Sequence, residues 1–375
     1  MSVSTVITGI MAVFFVLGAF DRLFGNRLGM GAEFERGFGL AGPTALSMLG
    51  LTVLAPALAR VLRPTLGAVF ALIGADAAML PGMLMSCDIG YPISAAMSDD
   101  VRIAEFGGLV VGSVMGFVVS FTIPVACGLI SKDDYRPFST GIMAAYILDP
   151  LACFVGGIAM GLPAKTVLIN LVPVIFIAAV IVLGLFFVPE IAIKAFRWFS
   201  KLLMAVITVG LVLGALESML GLTIIEGLSP ISDGFKTLGT VVLSLSGSLP
   251  FLYVMRKALK KPLDALGKRV GLNDVTVLSM IIAITSLVPG YSRYGEMNLR
   301  GKVVYAAFSA SAGCALGAHL GFTSSMNGEV VAPMLLAKAL AGVFALLSSA
   351  FFARRIFKDE LARDKEIAAQ GGVAQ

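Results

Sequence analysis

This sequence predicts an all-α polytopic membrane protein, and three observations support that prediction. Of its 375 residues, 58% are hydrophobic and 14% charged, whereas an average soluble domain carries about 25% charge. The mean hydropathy is +0.95. The apolar residues gather into runs near the roughly 20 residues that a helix needs to cross a bilayer, separated by short segments holding most of the Lys and Arg.

In order, the runs are 3–20, 38–58, 106–130, 140–161, 167–188, 202–220, 238–255, 303–320 and 331–352. The first has no Lys or Arg before it and ends in Asp21-Arg22 instead of a small-residue cleavage site, so it is expected to stay as a span. Two further runs, 75–86 and 275–288, are too short to cross. Each leads into a small Gly-Tyr segment, Gly90-Tyr91 in the first and Pro289-Gly290-Tyr291 in the second, read as polar turns. Short interrupted segments at matching positions in two halves mark the binding site of a transporter.

With both short runs re-entrant, the basic residues sort onto one face and leave only Arg60, Arg63, Arg102, Lys165 and Lys236 on the other. If each short run crossed once, giving eleven spans, the two sides come out nearly even or the basic loop 256–269 faces outward. The expected plan is therefore nine transmembrane helices plus two re-entrant hairpins. Residues 1–161 form a first repeat with a hairpin near 64–97, and 167–188 is a linking helix. Residues 199–352 form a second, inverted repeat with a hairpin near 262–295, and 353–375 is a cytoplasmic tail. Arg63-Pro64 ahead of the first hairpin and Lys261-Pro262 ahead of the second, with Gly74 and Gly271 opening each run, give a short local likeness between the halves.

Composition also excludes functions. The net charge of +5 comes from basic residues at span ends, which argues against nucleic-acid binding and for the bilayer as partner. Cys87, Cys127, Cys153 and Cys314 lie in apolar stretches without Cys-x-x-Cys spacing, so neither a disulfide framework nor a metal site is expected. There is no P-loop, Ser-His-Asp set or kinase signature, so ATP-driven transport is not expected and any coupling comes from an ion or the membrane potential; no enzyme activity and no cofactor is expected. Gly112 and Gly116 stand at helix-packing spacing.

Ionisable residues at membrane depth cost roughly 2.5 to 3.5 kcal/mol and mark function. Asp88, flanked by Ser86, Cys87 and Gly90, is the first candidate, with Gly90 letting the backbone turn; an interfacial helix cap is the other reading. Asp149 lies mid-run before Pro150, where a kink suits a cation or proton site, or where it partners a neighbouring hydroxyl or Lys. His319, the lone histidine, is a proton relay or a packed, hydrogen-bonded side chain. Lys338 is read as snorkelling to the interface, and Asn327 and Glu329 as capping the last span. Tyr91, Tyr291 and Tyr294 offer ring faces to an ammonium group, and Thr285 and Ser286 hydroxyls at the second hairpin tip.

Phe34-Glu35-Arg36-Gly37-Phe38, Cys87-Asp88-Ile89-Gly90, Ile123-Pro124-Val125-Ala126, Arg300-Gly301-Lys302-Val303 and His319-Leu320-Gly321-Phe322 form a specific combination of strings. Taken together, they resemble the ethanolamine utilisation protein EutH family. The resemblance covers nearly the whole chain. It implies inner-membrane uptake of ethanolamine or a related small amino alcohol; the inverted hairpins add alternating access, the charge bias a C-terminus inside, and a moving bundle beside a fixed scaffold the expectation of a homodimer. Measured against the family pattern, Ala318 stands where an Asp precedes the histidine, Thr285-Ser286 where an Asn pair is usual, and Asp149 where the residue is apolar. With the carboxylates redistributed, the expected substrate is a related amino alcohol or the family's substrate held differently, in either case a small cationic or neutral amine. A membrane enzyme acting on an amine or lipid headgroup, and a facilitative channel for neutral amine, are the competing readings.

Overall fold

A computed structural model describes residues 3–269 and 271–360. All regular structure among them is helical. Among the described residues, seven helical stretches are long and apolar enough to cross a membrane, or eight when one bent pair is taken as a single span. They are α1 (Val3–Leu23), α2 (Met30–Gly39) continuing into α3 (Ala41–Ala71), then α8 (Tyr135–Ala159), α9 (Ala164–Phe187), α10 (Pro189–Leu220), α11 (Ile231–Arg269) and α16 (Val331–Ile356). The bent pair runs from Val101 to Gly116 and from Val118 to Leu129 with a 42° bend. It joins α6 (Val101–Glu105), π-helical turns over Phe106–Gly116 and Val118–Thr122, and α7 (Ile123–Leu129).

Burial orders these helices around a core. In α8, 61% of the spanning window is buried, against 17% in α1, so α8 is central and α1 peripheral. The outer faces of α9 and α10 expose Phe176, Phe187, Leu202 and Val209. In water such faces would drive aggregation, whereas in lipid they are solvated.

The first short run contains α4 (Met79–Leu84) and leads into α5 (Cys87–Met97). Packing on the π-helical segment shows the chain reversing. A Cβ on Gly107 would meet Ala78 and one on Gly116 would meet Met85, so α4 ascends beside that segment; Gly112 faces Cys87 and Gly108 faces Tyr91, so α5 descends. The hairpin closes at its base, where Ser98 Oγ donates to Asp76 Oδ2 at 2.7 Å. The second short run folds likewise through α12 (Asp274–Ala283) and α13 (Val288–Ser292). Asn273 Nδ2 donates to the Glu296 carbonyl at 2.9 Å, and Asn298 Nδ2 to the Gly271 carbonyl at 3.0 Å.

The two bases lie at opposite ends of the bundle. Near the first, Arg102 Nη2 donates to the Met160 carbonyl where α8 ends, whereas near the second, Lys302 Nζ binds Asp134 where α8 begins. Each hairpin is followed by an interrupted helix. After the first comes the bend at Phe117. After the second, α14 (Leu299–Ala312) stops, and α15 (Ala318–Met326) starts after an irregular turn.

Three expectations change here. The run 303–320 is not one span, because Gly313 is extended, Cys314 takes a left-handed φ of 55° and Gly317 precedes the restart of the helix. The freed amides of Cys314 and Leu316 donate to the Ala283 and Ile284 carbonyls of the second hairpin tip, at 2.8 and 3.0 Å. Gly90-Tyr91 and Gly290-Tyr291 are not turns but lie inside α5 and α13, and the reversals fall earlier, at Met85-Ser86 and at 284–287. Gly90 and Gly290 instead admit close neighbours, Pro81 O and the Tyr305 hydroxyl. Helices α3 and α11 run through Pro64 and the Lys261-Pro262 pair, so the local likeness lies within long helices, the second of them where side chains fall outside the described residues.

Asn298 tests the hairpin closure. Besides holding Gly271, its Oδ1 accepts from the Gly301 amide at 2.9 Å and caps α14. Asn298→Ala is expected to cost about 1–2 kcal/mol of stability, read as a lowered thermal unfolding midpoint in detergent.

Candidate functional site

The two hairpin tips and the two interrupted helices converge on one buried region. At the first tip, the Ser86 amide donates to Ser120 Oγ at 2.9 Å, just beyond the bend at Phe117, and Ser120 Oγ donates to the Gly116 carbonyl at 3.0 Å. Glycine at 82, 107, 112 and 116 makes this approach possible, since a Cβ on Gly116 would collide with the Met85 and Gly82 carbonyls and one on Gly82 with the Gly107 carbonyl. The helix-packing reading of the Gly spacing holds, but on a π-helical segment. Such wide turns are rare and recur at functional sites.

From the second half, His319 opens α15 and is 1% exposed. Its Nε2 lies 3.2 Å from Ser86 Oγ, so a hydrogen bond joins the first tip to the second interrupted helix. The ring meets Phe117 edge-on with centroids 4.5 Å apart. Its Nδ1 is buried without a hydrogen-bond partner among the described residues. One Ser86 bond fixes the ring's direction and leaves one ring nitrogen for a ligand.

Cys87 is fully buried under the first tip. Asp88 is half-buried in the first turn of α5, where the helix N-terminus favours a carboxylate. Both Lys338 and Asp88 lie within electrostatic reach of Cys314 in the second irregular turn. Tyr91 is half-buried, with its ring 6.3 Å from that of Phe322 at 76°.

Asp149 is fully buried in the middle of α8. Ser311 Oγ donates to its Oδ1 at 2.8 Å, while Oδ2 has no hydrogen-bond partner among the described residues. The residue after it, Pro150, cannot donate to the Tyr146 carbonyl, which loosens α8 beside the carboxylate. Tyr146 instead ties α8 to the bend, its hydroxyl donating to the Met115 carbonyl at 2.7 Å.

The largest departure from sequence reasoning is Lys338, which does not snorkel. It is 0% exposed, seven residues into α16, or about 10 Å along the helix at 1.5 Å per residue. Its Nζ donates to the Ser113 carbonyl at 2.6 Å and lies 5.3 Å from the Phe117 ring centre. It faces Asp149 electrostatically, without a direct ion pair between them. The available signal was its distance from the end of an apolar run. Ser113, Phe117, Ser120 and Ser311 carried no such signal, because their partners are distant in sequence and meet them only in the fold.

Other candidates are engaged by other contacts. Tyr291 is fully buried in an aromatic cluster with Phe138, Tyr294 and Tyr305, its hydroxyl 2.7 Å from Ser309 Oγ, so it offers no open ring face. Tyr294 donates to the Lys302 carbonyl at 2.9 Å. Thr285 is partly buried at the second tip, its hydroxyl donating to the Ile282 carbonyl at 2.8 Å. It borders a separate cavity of about 80 Å³ shared with Glu33, Arg36 and Arg256. Ser286 is half-buried beside it, with its amide on the Ile282 carbonyl. Asn327 caps the short turn before α16 through the Glu329 amide and also donates to Glu105 Oε1 at 2.7 Å, a buried partner not foreseen. No cluster of three or more His, Cys, Asp or Glu suited to a metal occurs among the described residues.

This geometry sits on a sequence with clear relatives. Residues 3–352 match the family described as Ethanolamine utilisation protein, EutH. A Listeria monocytogenes protein named "Probable ethanolamine permease EutH" is 37% identical over 373 residues, covering 99% of this chain and all of that protein. An Escherichia coli protein of the same name is 33% identical over 92% of this chain and 94% of its own length. The Bacillus subtilis "Uncharacterized protein YxeR" is 34% identical over 94% and 95%. No solved structure matches the chain.

Proposed function

The chain belongs to the ethanolamine utilisation protein EutH family, and from that premise we propose that it carries ethanolamine or a close amino alcohol across the cell's inner membrane by alternating access. The observation that carries the reading is the meeting of two hairpin tips, entering from opposite ends, at the interruptions of two bent helices. In carriers with inverted repeats, substrate binds where discontinuous helices meet at mid-depth, and rocking one bundle opens it to each face. The end that bears most of the Lys and Arg, with the C-terminus, is assigned to the cytoplasm.

Charge sets the substrate class. Asp88, at the first tip, takes part in none of the ion pairs among the described residues, which suits one monovalent cation. A primary amine with a lysine-like pKa of about 10 is such a cation at neutral pH. Its ammonium is assigned to Asp88 through a charge-assisted bond, and its hydroxyl to Ser86 and the free nitrogen of His319. Asp149 and Lys338 stand behind them, and Tyr91 borders the first tip.

Purified protein in liposomes loaded with unlabelled ethanolamine tests this reading. Saturable counterflow of labelled ethanolamine is expected, with net uptake accelerated by an inside-negative potential. A potential of 100 mV is worth about 2.3 kcal/mol per charge, or roughly 50-fold accumulation of the cation. Saturable but voltage-insensitive uptake removes net cation movement. Turnover of ethanolamine lipids without translocation, or unsaturable flux, removes the carrier.

A further inference from the structure

We propose that Lys338 is a resident cation, built into the place where many secondary carriers hold a free coupling ion, so that this chain transports without sodium. The inference rests on the carrier reading and adds to it the identity of the coupling charge. In carriers built from interrupted helices, backbone carbonyls at the interruption and nearby carboxylates bind the ion. Here the same kinds of group are assembled, and a lysine ammonium occupies the middle of them. The Ser113 carbonyl, four residues before the bend at Phe117, accepts a hydrogen bond from Nζ at 2.6 Å. The Phe117 ring lies 5.3 Å away on another side. Asp149, the carboxylate facing Lys338 from α8, is itself held by Ser311 from α14.

Position argues against a merely structural lysine. A buried ammonium is costly unless its surroundings repay it, and this one spans the seam between the two halves, from α16 to the π-helical segment. It therefore couples the bend beside the first hairpin tip to a helix of the second half. Any motion that separates α16 from that segment must break this bond, as release of a coupling ion would. Unlike a free ion, the tethered ammonium does not leave, so no sodium gradient is consumed.

Ethanolamine uptake into proteoliposomes, with potassium replacing sodium on both sides, tests the proposal. Wild-type uptake is expected to be unchanged. Lys338→Ser, which removes the ammonium and leaves an oxygen, is expected to slow uptake at least tenfold in potassium, with sodium restoring it at least threefold. Loss of packing alone would not create a response to sodium. A folded variant that transports within twofold of wild type, or one that is slow and indifferent to sodium, overturns the proposal. Should the variant fail to fold, the wild-type comparison decides: full uptake without sodium is the expected result, and a sodium requirement overturns it. Absence of uptake by wild type in every condition refutes the carrier reading instead.

Discussion

Asp88→Asn is expected to lower saturable amine uptake about 100-fold or more while leaving the protein folded in the membrane. The side chain keeps its shape and loses its charge. Asp88 takes part in none of the ion pairs among the described residues, so no cation of the protein is stranded. Its fold contribution is then its place at the start of α5, worth about 0.3–1 kcal/mol as a charge on a helix N-terminus. The substrate loses much more. Removing one partner of a buried pair costs about 3–5 kcal/mol, and each 1.4 kcal/mol is tenfold. Initial uptake rates in proteoliposomes at matched protein, with thermal unfolding alongside, check both halves of the expectation. Uptake within threefold of wild type would take Asp88 out of the site.

Gly116→Leu is expected to damage the fold and transport together. A Cβ at this position runs into the Met85 and Gly82 carbonyls, which belong to the backbone of the first hairpin and have no rotamer to change. The tip must lift, breaking the Ser86 amide's bond to Ser120 and moving Ser86 from His319. Forcing extra volume into packed backbone costs about 1–3 kcal/mol and sometimes more; the upper end is expected here. Gly128 provides the contrast, since a Cβ there meets nothing. Gly128→Ala is expected to leave unfolding and uptake unharmed, alanine being the better helix former by about 1 kcal/mol. A Gly116→Leu protein that unfolds and transports like wild type would show that the tip does not rest on this face.

These two residues also show what the sequence makes legible. Asp88 and Asp149 stand out because carboxylates in apolar runs are costly, and the Gly112 and Gly116 spacing stands out because few side chains permit close packing. The short runs were legible from length alone. The break at 313–317 was not, because hydropathy runs through it without a dip and the turn is held by carbonyls of a distant hairpin. The reversal points were misplaced for a related reason: Gly-Tyr pairs resemble turns locally, yet here each glycine serves a neighbour's approach. Lys338 was misread because a long side chain near a helix end usually reaches water, and only the packing of α16 against the π-helical segment denies it that route. Tyr291 lost its expected role to three other rings that form its cluster only in three dimensions.

The side-chain clasps at the hairpin bases have a consequence for control. Ser98 with Asp76 closes one hairpin at one end of the bundle, and Asn273 with Glu296 closes the other at the opposite end. Each end of the bundle thus owns one clasp. Weakening a clasp by about 1.4 kcal/mol opens its own hairpin base tenfold more often and leaves the other unchanged. A ligand that cannot cross the bilayer, such as an antibody fragment raised against either base, therefore reaches only one of the two clasps.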